Sequence, residues 1–196
     1  MSPPMPLKPH MDEDGLLFFK KIIFSSKCYL EYGSGGSTIY AANTAKVPSI
    51  ISIETDKNWI TKIKTSISSN SNLYLVHCDL GEVGMWGFPK NREKIESFWE
   101  YSFRPWDIAE NNLLSPDTIL IDGRFRISSF LVTLLNARPG TLVLFDDYFN
   151  RSNYWVVEEF CKPHEQHGRM GVFIVPPKCS YKNITRLIAK NLLTVD

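Results

Sequence analysis

The densest chemical signal in the chain is the run Leu30-Glu31-Tyr32-Gly33-Ser34-Gly35-Gly36-Ser37-Thr38. Glycines permit a tight turn and close backbone approach, and a helix starting there offers free N–H groups to an anion. The same residues also suit a plain glycine turn in which Ser37 or Thr38 caps a helix. Two carboxylates favour a ligand. Glu31 stands two residues before the first glycine, where a dinucleotide-binding strand usually carries an apolar residue. Glu54 follows Gly33 by 21 residues, where a carboxylate accepts both hydroxyls of a ribose, although it can also cap a helix opening at Lys57. Asp79 suits a cap on a turn before Gly81.

A second group is Asp122, Asp146 and Asp147, followed by Tyr148. Carboxylates gathered at one place supply a general base or a hard-oxygen site for magnesium or manganese. Adjacent strand residues point to opposite faces, so Asp146 and Asp147 share a site only if the backbone bends between them. Arg124 and Arg126 either grip an acidic substrate, pair with Asp122 in place of a metal, or are surface charges. Tyr148 reads as a second base or as a tyrosine packed on the next helix.

Elements that position these residues follow from hydrophobic patterning. Apolar runs at Cys28 to Leu30, Ile50 to Ile53, Leu73 to Val76, Thr118 to Ile121 and Leu142 to Phe145 each end near an acid. Gly171 to Val175 is a sixth run, ending at Pro176-Pro177. Helix-period segments lie at Leu16 to Phe24, Ser37 to Lys46, Lys57 to Ser68, Ile127 to Ala137 and Asn153 to Cys161, while Ile184 to Leu193 suits helix or strand. The acids Glu31, Glu54, Asp79, Asp122 and Asp146 are 23, 25, 43 and 24 residues apart. This βα rhythm predicts a three-layer, Rossmann-like, doubly wound and mostly parallel sheet of six or seven strands with helices on both faces. The long interval holds an insertion at 82–112 bearing Trp86, Phe88, Phe98, Trp99, Tyr101, Phe103 and Trp106. Most of these read as a satellite core, with Trp86 and Gly87 as the candidate cover over a ligand.

At 196 residues the expectation is one domain over 15–196 behind a flexible Pro-rich arm at 1–14. Twenty-two Lys+Arg against 21 Asp+Glu leaves no global field to gather nucleic acid or anionic lipid. No apolar run approaches the ~20 residues that cross a bilayer, so a cytoplasmic protein is expected. Cys28, Cys78, Cys161 and Cys179 show no metal or disulfide spacing and read as buried thiols.

The ordered set resembles a known superfamily. Glu31-x-Gly33-x-Gly35-Gly36, Glu54 and Asp79 are similar to the first three motifs of class I S-adenosylmethionine-dependent methyltransferases. Ile121-Asp122-Gly123-Arg124-Phe125-Arg126 and Phe145-Asp146-Asp147-Tyr148, with Arg151, Tyr154 and Val157-Glu158, resemble small bacterial methyltransferase-like proteins. Ser37 departs from the pattern, since many of these enzymes carry a third glycine there. The resemblance implies S-adenosylmethionine on Glu31, Gly33, Ser34, Gly35, Gly36, Ser37, Thr38, Glu54, Asp79 and Asp122. It implies catalysis by Asp122, Asp147 and Tyr148, and a small-molecule acceptor near Trp86, Arg124 and Arg126. A magnesium or manganese site on Asp122, Asp146 and Asp147 would match catechol-type O-methyltransferases. The alternative is a non-catalytic cofactor-binding protein of the same fold. An acid beside the loop would repel the pyrophosphate of NAD and suits the amino group of S-adenosylmethionine.

Overall fold

Seven strands pair into one sheet in the order β3-β2-β1-β4-β5-β7-β6. They are β1 Cys28–Tyr32, β2 Ser49–Glu54, β3 Leu73–His77, β4 Thr118–Ile121, β5 Leu142–Phe145, β6 Glu165–His167 and β7 Met170–Ile174. The first five run parallel, while β7 is antiparallel to both β5 and β6. The computed structural model describes residues 8–68, 72–178 and 180–196. Cys179 and the first seven residues of the expected arm lie outside them.

Side-chain alternation sorts the core onto two faces. Leu30, Tyr32, Ile51, Ile53, Ile119 and Ile121 meet the helices α4 Glu100–Asn111, α5 Arg126–Asn136 and α6 Tyr181–Asn191. Tyr29, Ile50, Leu120 and Leu144 meet α1 Glu13–Ile23 and α2 Gly36–Asn43, with α3 Lys57–Ser66 beside α2. The doubly wound sheet is therefore covered on both sides. Strand order reverses between β1 and β4, and ligands of such sheets bind at that switch point beyond the carboxyl ends.

Several expectations change. The segment after Ile184 is helix α6, because Ile184 and Ile188, one turn apart, are both buried where α6 packs on α5. The stretch expected as a helix at 153–161 is a 3-10 helix over Ser152–Glu159. Edge strand β6 is polar throughout and left no apolar pattern to read. In the insertion, Phe98, just before α4, and Tyr101 and Trp106 on it enter the main core and form no satellite, whereas Trp86, Phe88 and Trp99 stay exposed.

The described part of the arm is packed. Asp12 caps α1 through Gly15 N–H at 2.9 Å and also accepts from Arg169 N–H at 2.6 Å. Pro9 is buried, and the Lys8 carbonyl rests where a side chain on Gly36 would stand. Among the described residues, no helix is long and apolar enough to cross a membrane.

Candidate functional site

Gly33 makes the turn out of β1 with φ +94°, and its N–H donates to Ile53 C=O at 3.0 Å. A Cβ there would stand 2.6 Å from Gly123 Cα, so β1 and β4 leave the sheet backbone against backbone. Only glycine meets both demands. Behind the turn lies a buried polar knot. Glu31 shares Tyr29's parity along β1, so its carboxylate faces α2 and not the ligand edge. Ser37 and Thr38 hydroxyls donate to its two oxygens, and Ser52 donates to Oε2 at 3.0 Å. Ser34 and Ser52 hydroxyls meet at 2.6 Å, and the Trp59 indole N–H holds Ser34 C=O at 2.8 Å. Burial pushes the Glu31 carboxyl up, and the three hydroxyl donors oppose the shift.

This corrects the expected roles of four side chains. Those of Glu31, Ser34, Ser37 and Thr38 are spent on one another and shape the loop from behind. What the loop presents outward is backbone, most openly at Gly35, where an added Cβ would meet nothing closer than 4.0 Å.

At the end of β2, Glu54 Oε1 accepts from the Thr55 and Asp56 N–H groups at 2.7 and 3.1 Å. No protein donor meets its Oε2 among the described residues. Asp56, and not Glu54, caps α3, through Asn58 and Trp59 N–H. Burial raises the Glu54 carboxyl to about 7. The insertion folds down beside it: Thr55 Oγ1 donates to Gly87 C=O at 2.8 Å, and a Cβ on Gly87 would stand 2.1 Å from that Oγ1. Trp86 is held at φ +60° to reach this contact. Tyr101, which sequence reasoning treated only as one of seven aromatics, belongs to the site. Its buried hydroxyl accepts from Arg124 N–H at 3.3 Å, and a Cβ on Gly123 would lie 2.0 Å from it. Burial and the charge of Glu54 raise its pKa well above the usual phenol value.

The acids of β4 and β5 do converge, because Asp147 adopts φ +58° and bends the chain after Asp146. Arg126, 3% exposed, occupies their centre and uses all five N–H donors. Nε donates to Gly123 C=O at 2.9 Å, and Nη1 to Asp146 C=O at 2.7 Å and Asp147 Oδ2 at 3.2 Å. Nη2 donates to Asp122 C=O at 3.2 Å and Oδ1 at 3.1 Å. Arg169, from the β6–β7 turn, grips both Asp146 oxygens at 3.0 and 2.7 Å. Asp147 also meets Arg151 and Arg169, each at 3.0 Å. The divalent-cation reading of Asp122, Asp146 and Asp147 is therefore corrected. Guanidinium groups take the lone pairs a metal would need, and no cluster of His, Cys, Asp or Glu among the described residues is arranged to hold an ion. Asp122 Oδ2 alone in this cluster has no protein donor among the described residues. Burial raises the Asp122 pKa well above the usual carboxylate value, and Arg126 opposes the shift.

A methyltransferase-like protein from Silicibacter pomeroyi superposes with TM-score 0.84 and 28% identity, covering 96% of this chain and 99% of that one. The chain shares the fold of that methyltransferase-like protein. Two more distant structures share the fold alone. One is the fibrillarin pre-rRNA processing protein of Methanococcus jannaschii, at TM-score 0.53 and 11% identity, covering 80% of this chain and 69% of that one. The other is provisionally assigned as a methyltransferase and was solved with S-adenosylhomocysteine, at TM-score 0.51 and 12% identity, covering 82% of this chain and 48% of that one. No protein-family model and no curated protein matches the chain.

In this methyltransferase-like fold the remaining candidates separate. Asp79 Oδ1 accepts from Gly81 N–H at 3.0 Å and Oδ2 pairs with Lys94, so it is committed to the turn. Tyr148 is buried among Phe145, Phe149 and Phe173, and its hydroxyl donates to Glu158 at 2.8 Å. It is corrected from base to core residue: the turn at Asp147 sends the next side chain inward. Trp86 is 74% exposed and its ring lies 5.5 Å from that of His10, at the rim of the site beside the arm. Arg124 keeps its guanidinium out of every ion pair found among the described residues.

Proposed function

We propose that the protein is an S-adenosylmethionine-dependent methyltransferase acting on a small molecule. One observation carries the reading. At the switch point, two carboxylate oxygens without protein donors among the described residues, Glu54 Oε2 and Asp122 Oδ2, flank a glycine loop whose polar side chains are turned to its rear. A ribose diol fits Glu54, while the Gly35 N–H is spent on Thr38 Oγ1 at 2.9 Å and holds the loop. S-adenosylmethionine, when bound, supplies the electrophilic methyl group. The chain's own part is to orient it, with Gly33 and Gly123 fixing the floor, and to receive a proton at Asp122 Oδ2 from an acceptor hydroxyl. The S-adenosylhomocysteine held by a structural neighbour supports the cofactor assignment. Because fibrillarin shares the fold, the fold does not by itself separate an RNA acceptor from a small one. The balanced charge supports the small molecule.

Calorimetry with S-adenosylhomocysteine tests the cofactor. The proton on Glu54 competes with the ribose, so the apparent Kd is expected to rise about tenfold between pH 8 and pH 6. In Glu54→Gln binding should be weaker and flat with pH. In the free protein the sign is opposite. The fold holds this proton between the ordinary 4.5 and about 7, so raising pH through that window removes stability, and Glu54→Gln should remove the slope.

The non-catalytic alternative draws on the same acids, since arginines neutralise most of them. Labelled S-adenosylmethionine offered to hydroxylated, aminated and RNA acceptors discriminates: binding without transfer to any of them favours the alternative. With a productive acceptor, Asp122→Asn is expected to lower kcat at least about a hundredfold while changing the S-adenosylhomocysteine Kd less than about threefold. A loss confined to affinity would make Asp122 a cofactor ligand and not the base.

A further inference from the structure

Helix α5 starts directly after the turn that carries Asp122, and its own sequence supplies nothing a helix N-terminus needs. Phe125 precedes it at φ +53° and brings no side-chain cap. The first turn holds no acid, while Arg124 and Arg126 place two cations at the positive end of the helix dipole. The opening N–H groups of a helix have no partner within it, and where they are buried another group must meet them. That group comes from elsewhere in the fold. Helix α6 packs on α5, and the segment after α6 carries Asp196 to the start of α5. There Asp196 Oδ1 accepts from Arg126 N–H at 2.7 Å, and Ile127 N–H favours the same carboxylate.

Asp196 also answers the charge at this end. Burial raises its carboxyl above the ordinary value, and the nearby charges of Arg126 and Arg124 oppose the shift. Its Oδ2 and Arg124 Nε are both sealed from solvent without a hydrogen bond, so the cap acts through Oδ1 and Arg124 is met as a charge only. The capped turn holds the acid cluster. Arg126 Nη2 donates to Asp122 Oδ1 at 3.1 Å and Nη1 to Asp147 Oδ2 at 3.2 Å. Where that guanidinium stands depends on the backbone of Arg126, and a helix without its cap frays from that end.

We infer that Asp196 caps α5 from outside the helix and, by fixing its first turn, positions the Arg126 guanidinium against Asp122. It acts through Arg126 and is a positioning residue. Its part in methyl transfer rests on the reading of Asp122 as the base; the cap and its hold on Arg126 do not.

Two substitutions separate the cap from the charge. Asparagine caps a helix about as well as aspartate, so Asp196→Asn removes the charge and keeps the acceptor, whereas Asp196→Ala removes both. The readout is the titration of Asp122, followed by NMR of carbon-labelled aspartate carboxyls and assigned by the signal missing in Asp122→Asn. Asp122 also feels Asp146, Asp147 and Glu31, which both variants retain together with Arg151 and Arg169. Losing a nearby anion moves a carboxyl down, and loosening its arginine moves it up. Asp122 is therefore expected to titrate lower or unchanged in Asp196→Asn. In Asp196→Ala it should titrate higher by about 0.5 pH unit or more, roughly a threefold gain in proton affinity. Amide exchange at Arg126 and Ile127 should quicken about tenfold in Asp196→Ala alone, with melting temperatures confirming that both variants fold. A lower melting temperature that leaves Asp122 unmoved, or movement of Asp122 in the same direction in both variants, overturns the inference. Calorimetry with S-adenosylhomocysteine on the same proteins separates it from the cofactor reading. The expected pattern without any cofactor binding keeps the cap and sinks the methyltransferase reading; cofactor binding without the pattern does the reverse.

Discussion

Arg126→Met is expected to destabilise the protein by about 3–5 kcal/mol, the usual cost of leaving buried charges without their partner. The five N–H donors of this guanidinium each have an acceptor in the β4–β5 region, three of them backbone carbonyls. Methionine fills part of the space and returns none of these bonds. Arg126→Lys should recover little, because an ammonium has three donors on one atom and cannot reach acceptors spread around a planar fork. The deficit should shrink on acidification. Without the guanidinium, Asp122 holds its proton more tightly folded than unfolded, so lowering pH through that window stabilises the variant. Urea unfolding at pH 7.5 and pH 5.5 measures both effects. A cost below about 1 kcal/mol at pH 7.5 would mean that the arginine is a bystander and would reopen the acids to a cation.

Glu31→Ala is the second large effect. It leaves the Ser37, Thr38 and Ser52 hydroxyls without their acceptor in a sealed space and opens a cavity, and about 3–4 kcal/mol is expected. Glu31→Gln should cost only about 1–2 kcal/mol, since hydroxyls rotate and can accept from the new amide. The pair of variants separates two roles. If Glu31 only shapes the loop, S-adenosylhomocysteine affinity in Glu31→Gln stays within about threefold of the parent. A tenfold loss of affinity with unchanged unfolding would show that the carboxylate touches the ligand after all.

Both predictions turn on residues whose importance is visible in the sequence and whose direction is not. Glu31 is conspicuous as an acid before a glycine turn. Its parity with Tyr29, together with the hydroxyls at Ser37 and Thr38, was the available sign that it faces α2. The i,i+4 spacings Asp122–Arg126 and Asp147–Arg151 were likewise readable as ion pairs across a first helical or 3-10 turn. Arg169 was not readable. It reaches Asp146 from a hairpin whose outer strand is entirely polar, and nothing local joins the two. Tyr101 looked like any other aromatic of the insertion, since only α4's seat on the sheet brings its hydroxyl to Gly123 and Arg124.

By itself the sequence determined the chain order of β1 to β5 and β7, the edge at which the acids gather and the glycine turn at Gly33. Those features are local: a period of two or of 3.6, a residue that tolerates positive φ, and an acid where a strand stops. Tertiary structure decided which carboxylates remain open and which acids answer the arginines. Charge compensation depends on distances among at least four chain segments, and it falls off over a few ångströms in ways that spacing along the chain does not encode. Of the acids at the ligand edge, Glu54 and Asp122 keep an oxygen free, while the Arg124 charge is answered by Asp196 from the segment after α6.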